Sequence, residues 1–119
     1  MQNKGDLSER LLNFSASSIK LTAKLKRTAP GRYIANQLMR SASSSGANYE
    51  EACGAESRAD FIHKMQLVLK ELRESLYWLR LLARTGLISK KQLDVLVDEA
   101  NELIRMVAKS VITAKGERR

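Results

Sequence analysis

A chain of 119 residues fits one domain. Its charged fraction of 29% and hydrophobic fraction of 44% exclude a disordered chain, and no apolar run approaches the ~20 residues of a membrane-spanning helix. The net charge of +8, from 21 basic and 13 acidic side chains, is compatible both with binding a polyanion and with a merely solubilising role.

The first predicted helix spans 6–27. Leu7, Leu11, Phe14, Ser18, Leu21 and Leu25 recur at steps of four and three, which lays them on one helical stripe, with Leu12 and Ile19 alongside. Asp6 and Glu9 stand at the spacing of a capping box. Lys24, Lys26 and Arg27 fall in the last turn, where the helix dipole favours cations. They read either as helix-end and solubility charges or as part of a phosphate-binding patch. Residues 1–40 hold eight basic and two acidic side chains, a balance of +6, whereas residues 41–60 hold one basic and four acidic, a balance of −3. Thr28-Ala29-Pro30-Gly31 is expected to break the helix.

The second predicted helix spans 31–54, with a weaker apolar face of Ile34, Ala35, Leu38, Ala42, Tyr49 and Ala52. Its middle, S-A-S-S-S-G-A, has poor helix propensity, but the steps of three and four continue through it. The run of small side chains suits close packing inside a bundle or a surface for another subunit; a flexible linker is the third option.

The third predicted helix spans 57–86 and organises the chain. Phe61, Met65, Val68, Leu72, Ser75, Leu79 and Leu82 form its stripe, widened by Ile62, Leu69, Leu76 and Ala83. Ser57 can cap its start, with Asp60 three residues on, and Gly86 suits the left-handed turn that ends many helices. About 40 Å of helix, at ~1.5 Å per residue, cannot bury this stripe alone. A fourth helix, 89–114, opens on Ser89 and Gln92 at capping-box spacing and turns Leu93, Leu96, Val97, Ala100, Leu103, Ile104, Val107 and Val111 inward. The remaining residues, 115–119, read as a frayed tail.

Four amphipathic helices joined by short connections predict an all-α, single-domain, up-down-up-down four-helix bundle. Residues of the second and third helices whose numbers sum to about 112 then lie level. Arg40 comes within reach of Glu71 or Glu74, and Glu51 within reach of Lys64.

The chemistry of catalysis is thin. His63 is the single histidine, and Asp60-x-x-His63 is one copy of a spacing that di-metal bundles use twice. Cys53, the single cysteine, excludes an internal disulfide and reads as a packed side chain. No phosphate-binding glycine loop is present. Tyr77 and Trp78 could stack on a base, but a core edge or subunit contact is the commoner use of such rings. The expectation is a protein that is not an enzyme and carries no cofactor or metal. The N-terminal M-Q-N-K-G-D-L-S-E-R lacks the apolar core of a signal peptide, and with one cysteine the expected location is cytoplasmic.

The stretch from Arg40 to Leu79 resembles a known family, the bacterial four-helix bundle proteins encoded in intervening sequences of large-subunit ribosomal RNA genes. In that family the second helix carries Arg, Ser, Asn and Glu at the steps where Arg40, Ser44, Asn48 and Glu51 stand here. The third opens on an acidic-Phe pair, here Asp60-Phe61, and continues K-E-x-x-E-[ST]-x-Y-W-L, here Lys70-Glu71-x-x-Glu74-Ser75-x-Tyr77-Trp78-Leu79. A branch of the family has Gly-Ser in place of Lys70-Glu71, and the accessory variability proteins of diversity-generating retroelements are similar to that branch. The resemblance implies a four-helix bundle that assembles into a homo-oligomer, with a pentamer favoured. The retroelement relatives are basic pentamers that bind nucleic acid and a reverse transcriptase.

Together these readings lead to a basic, oligomeric bundle that binds RNA or DNA through phosphate contacts. The candidate contacts are Lys20, Lys24, Lys26, Arg27, Arg32, Arg80 and Arg84. Arg40, Ser44, Asn48, Glu51, Asp60, Phe61, Glu71, Glu74, Tyr77 and Trp78 are expected to hold helices or subunits together. The alternative is a scaffold that docks an acidic protein partner and no nucleic acid. No membrane is expected to be involved.

Overall fold

Capping side chains fix three of the four helix starts. In a computed structural model that describes residues 4–116, the helices are α1 (Lys4–Thr22), α2 (Ala29–Cys53), α3 (Arg58–Thr85) and α4 (Lys90–Ala114). Thr28 Oγ1 accepts from Gly31 N at 3.1 Å, Ser57 Oγ from Asp60 N at 3.0 Å and Ser89 Oγ from Gln92 N at 3.4 Å. Each satisfies an N–H that the first helical turn leaves unpaired. Gly86 ends α3 with φ 74°, in the left-handed region that costs glycine nothing.

The first helix departs from expectation at both ends. It begins at Lys4, so Asp6 lies inside the first turn rather than at a cap. It stops as an α-helix at Thr22 and tightens into one 3-10 turn, Ala23–Leu25, leaving Lys26 and Arg27 in the connection. Two features mark this turn. Thr22 Oγ1 donates to the Ile19 carbonyl at 2.6 Å, drawing on a carbonyl of the last turn. A Cβ on Gly31 would lie 2.3 Å from the Leu25 carbonyl oxygen, so the chain doubles back closely at this point. The break expected around Thr28-Ala29-Pro30-Gly31 falls at 26–28, and Thr28 to Gly31 form the cap and first turn of α2, where proline has no hydrogen bond to lose.

The Ser-rich run of α2 is helical throughout, which removes the linker option. Ser41, Ala42 and Ser45 are fully buried, and their size lets the neighbouring helices approach. Ser41 Oγ lies 2.8 Å from Ser75 Oγ of α3, and Ser15 Oγ of α1 donates to the Ala42 carbonyl at 2.8 Å. Hydroxyls thus bridge helices where longer side chains would hold them apart.

The four stripes meet in one core, in which Leu11, Leu38, Met65, Leu72, Leu79, Leu93 and Leu103 are wholly shielded from solvent. The α3 stripe is buried from Met65 to Leu82, with Phe61 half-buried at its start. Ile62, Leu69 and Leu76 are half-buried beside it, but Ala83 is exposed. Leu12 and Ile19 are exposed rather than packed, at 61% and 44%.

Antiparallel neighbours follow from the cross-helix pairs. Arg40 Nη1 lies 3.4 Å from Glu71 Oε1, and its Nη2 also reaches Glu74. Lys64 Nζ lies 2.6 Å from Glu51 Oε1, as the level-residue rule anticipates. Arg10, 89 residues from its partner, donates twice to Glu99, at 3.0 and 2.7 Å, and ties α1 to α4. The result is an elongated up-down-up-down bundle of 46 × 25 × 19 Å.

Candidate functional site

An up-down-up-down order gathers the end of α1, the start of α2, the end of α3 and the start of α4 at one tip of the bundle. All seven cations singled out from the sequence as phosphate contacts belong to these segments. Lys20, Lys24, Lys26, Arg27 and Arg32 come from the first hairpin, and Arg80 and Arg84 from the last turns of α3. All seven are exposed. The sequence reading missed two more, Lys90 and Lys91, in the first turn of α4. The signal was present, since a short connection after Gly86 has to return α4 to the tip where α3 ends.

The charge balance of this tip equals that of the whole chain. Residues 20–33 and 78–94 hold nine basic side chains and one acidic one, a balance of +8, and the other residues hold twelve of each. Lys90 pairs with the lone Asp94 at 2.9 Å, which holds the ammonium pKa above its ordinary value. The other eight cations form no ion pair among the described residues. Arg32 Nη1 donates to the Lys26 carbonyl at 3.1 Å and braces the turn that carries Lys26 and Arg27.

The remaining sequence candidates lie along the α2–α3 face and the far tip. Arg40 donates to Gln37 Oε1 at 3.2 Å as well as to Glu71 and Glu74, so it joins α2 to α3. Glu74 also accepts from Trp78 Nε1 at 3.0 Å. The Trp78 ring is packed edge-on against Tyr33 at 5.8 Å and Tyr77 at 5.0 Å between centroids. Asn48 Nδ2 donates to the Ser44 carbonyl at 2.9 Å, within α2 itself. Glu51 holds Lys64, whose ammonium pKa is raised by that hydrogen bond and charge. Asp60 sits in the first turn of α3, where the dipole favours its charge, beside half-buried Phe61.

Elsewhere, His63 is exposed and Cys53 half-buried. Burial, with Cys53 and Glu50 nearby, holds the Tyr49 hydroxyl above its ordinary pKa. Among the described residues no three His, Cys, Asp or Glu side chains gather where they could hold a metal ion. No helix of the described residues is long and apolar enough to cross a membrane. An open apolar groove of about 650 Å³ runs between α1 and α2, with Leu12, Ala16 and Ile19 on one side and Ser43 and Ala47 on the other.

The molecule is therefore an all-α bundle with a neutral body and a cationic tip. Within that class its sequence is specific: the model of the 23S rRNA-intervening sequence protein family matches residues 5–109, and the chain belongs to that family. It is also similar to a solved protein of unknown function from the S23 ribosomal protein family, from Bacteroides thetaiotaomicron. The two share 32% identity over 91% of this chain and 96% of that one, with a TM-score of 0.85. No curated protein matches the sequence.

Proposed function

We propose that this protein is a non-catalytic, self-associating, cytoplasmic bundle that binds RNA or DNA through phosphates at its cationic tip, without a cofactor. The observation that carries this reading is the concentration of the entire net charge, +8, in the exposed residues of one tip. Folding does not need such a cluster, because like charges side by side oppose compaction. A polyanion supplies the missing counter-charges, and a ring of several copies would multiply the field.

Self-association is supported by the α1–α2 groove. A head-to-tail contact seats a projecting apolar ridge of one copy in a trough of the next. Val95, apolar and 69% exposed on α4, is a candidate to enter that trough. The pentamer implied by the family resemblance is the leading form of this assembly.

The test is binding of labelled RNA and duplex DNA across a salt series, with particle mass measured in the same buffers. Affinity should fall log-linearly with salt, and reversing Lys24, Lys26 and Arg27 to Glu should lower the slope by about 2–3 while leaving the melting temperature in place. Absence of binding at low salt overturns the nucleic-acid reading. It would direct the search to an acidic protein partner instead.

A further inference from the structure

The face of α3 beyond the tip carries a pattern that concentrated charge alone does not explain. Lys70, Arg73, Tyr77, Arg80 and Arg84 stand at steps of three, four, three and four, which is one helical stripe, and all five are exposed. The stripe is about 21 Å long at ~1.5 Å per residue. It starts near the middle of the bundle and runs into the cationic tip. No carboxylate stands in it. The neighbouring Glu71 and Glu74 are engaged by Arg40, and none of the four stripe cations forms an ion pair among the described residues.

An aromatic ledge lies beside the cations. Tyr77 and Tyr33 are each 57% exposed, and both meet Trp78 edge-on, at interplanar angles of 75° and 84°. The indole is pinned by its hydrogen bond to Glu74, which is itself held by Arg40. The two tyrosines are thus braced by a fixed central ring yet remain open to solvent. Rings packed for a core would be covered.

We infer that the stripe Lys70–Arg73–Tyr77–Arg80–Arg84, with Tyr33 and Trp78 beside it, is a track for an unpaired nucleic-acid strand. This rests on the phosphate-binding reading above and narrows it from nucleic acids in general to single strands. Cations at successive turns follow the phosphates, and the tyrosines stack on bases. A duplex keeps its base faces inside its own stack, so it can meet the cations but not the rings.

Trp78 is the one tryptophan of the chain, and its fluorescence reports on the ledge directly. The experiment compares an unstructured oligonucleotide, made as RNA and as DNA, with the duplex of the same sequence at one salt concentration. The proteins are the full chain, Tyr77→Ala and Tyr77→Phe. Single strands should bind more tightly than the duplex and quench Trp78. Tyr77→Ala should weaken single-strand binding about tenfold and leave duplex binding unchanged, whereas Tyr77→Phe should bind as the parent does. Equal affinity for strand and duplex, with Tyr77→Ala silent, overturns the track but leaves the phosphate-binding tip standing. No binding of either form overturns both. A change of particle mass in Tyr77→Ala would assign the ring to a subunit contact and likewise overturn the track.

Discussion

The two tips of the bundle treat charge in opposite ways. Where α1 and α3 begin, Lys64 meets Glu51, Arg58 Nε donates to the Ala114 carbonyl at 2.5 Å and Ser8 donates to Glu50. Where those helices end, eight of nine cations reach no carboxylate among the described residues. Side-chain caps open helices at both tips, Ser57 at one and Thr28 and Ser89 at the other, so the contrast does not follow from how helices start. Cations stand among carboxylates at one tip and almost without them at the other.

The strongest way to break this contrast is to reverse three charges at each tip. Lys24, Lys26 and Arg27 changed to Glu should weaken RNA binding about 100-fold or more at moderate salt, given a loss of about 2–3 phosphate contacts. Arg105, Lys109 and Lys115, exposed near the far end of α4, should tolerate the same change with little effect. Equal losses from both triple variants, measured by fluorescence anisotropy, would show that overall charge matters and placement does not.

The next largest effect concerns how the cationic turn is held. Gly31→Ala sets a methyl against the Leu25 carbonyl and should destabilise the protein by about 1–3 kcal/mol, because neighbouring backbone has to move. Chemical denaturation measures this, and an unchanged midpoint would mean that the turn is not fixed by this contact. Arg40→Ala should cost about 1–2 kcal/mol by leaving Glu71 and Glu74 without their cation, a loss moderated by the half-exposed guanidinium. Unaltered stability and particle mass would remove Arg40 as a tie between α2 and α3.

The smallest effect belongs to the paired tip and appears only in alkali. The folded state holds the Tyr49 hydroxyl above its ordinary value of 10.0, chiefly by burial. The unfolded chain therefore ionises first, so the stabilisation is complete below pH 10 and is lost as pH rises above it. Tyr49→Phe should flatten the fall of stability with pH by up to one proton's worth, read from melts in alkaline buffers. An unaltered slope would mean that this phenol is not the group responsible.

Much of this architecture was readable in the residues. The α3 stripe, the Ser57 and Ser89 caps, the Gly86 stop and the Arg40 and Glu51 pairs all follow from spacing, because they depend on neighbours along one helix or across one short hairpin. Arg10–Glu99 did not follow, since its partners are 89 residues apart and their meeting depends on how α1 leans against α4. The exposure of Leu12 and Ile19 was hidden for a related reason. Periodicity gives the direction of an apolar face, whereas its buried width depends on how many helices cover it. The site was half legible. Counting charge by segment found the α1–α2 turn, but Lys90 and Lys91 join it only through topology.

An elongated body 46 Å long with its net charge at one tip is also a strong electric dipole. In the field of a polyanion it feels a torque before it feels contact, and it turns tip-first as it approaches. Collisions are then largely in the productive orientation, so added salt should slow association more than it hastens release.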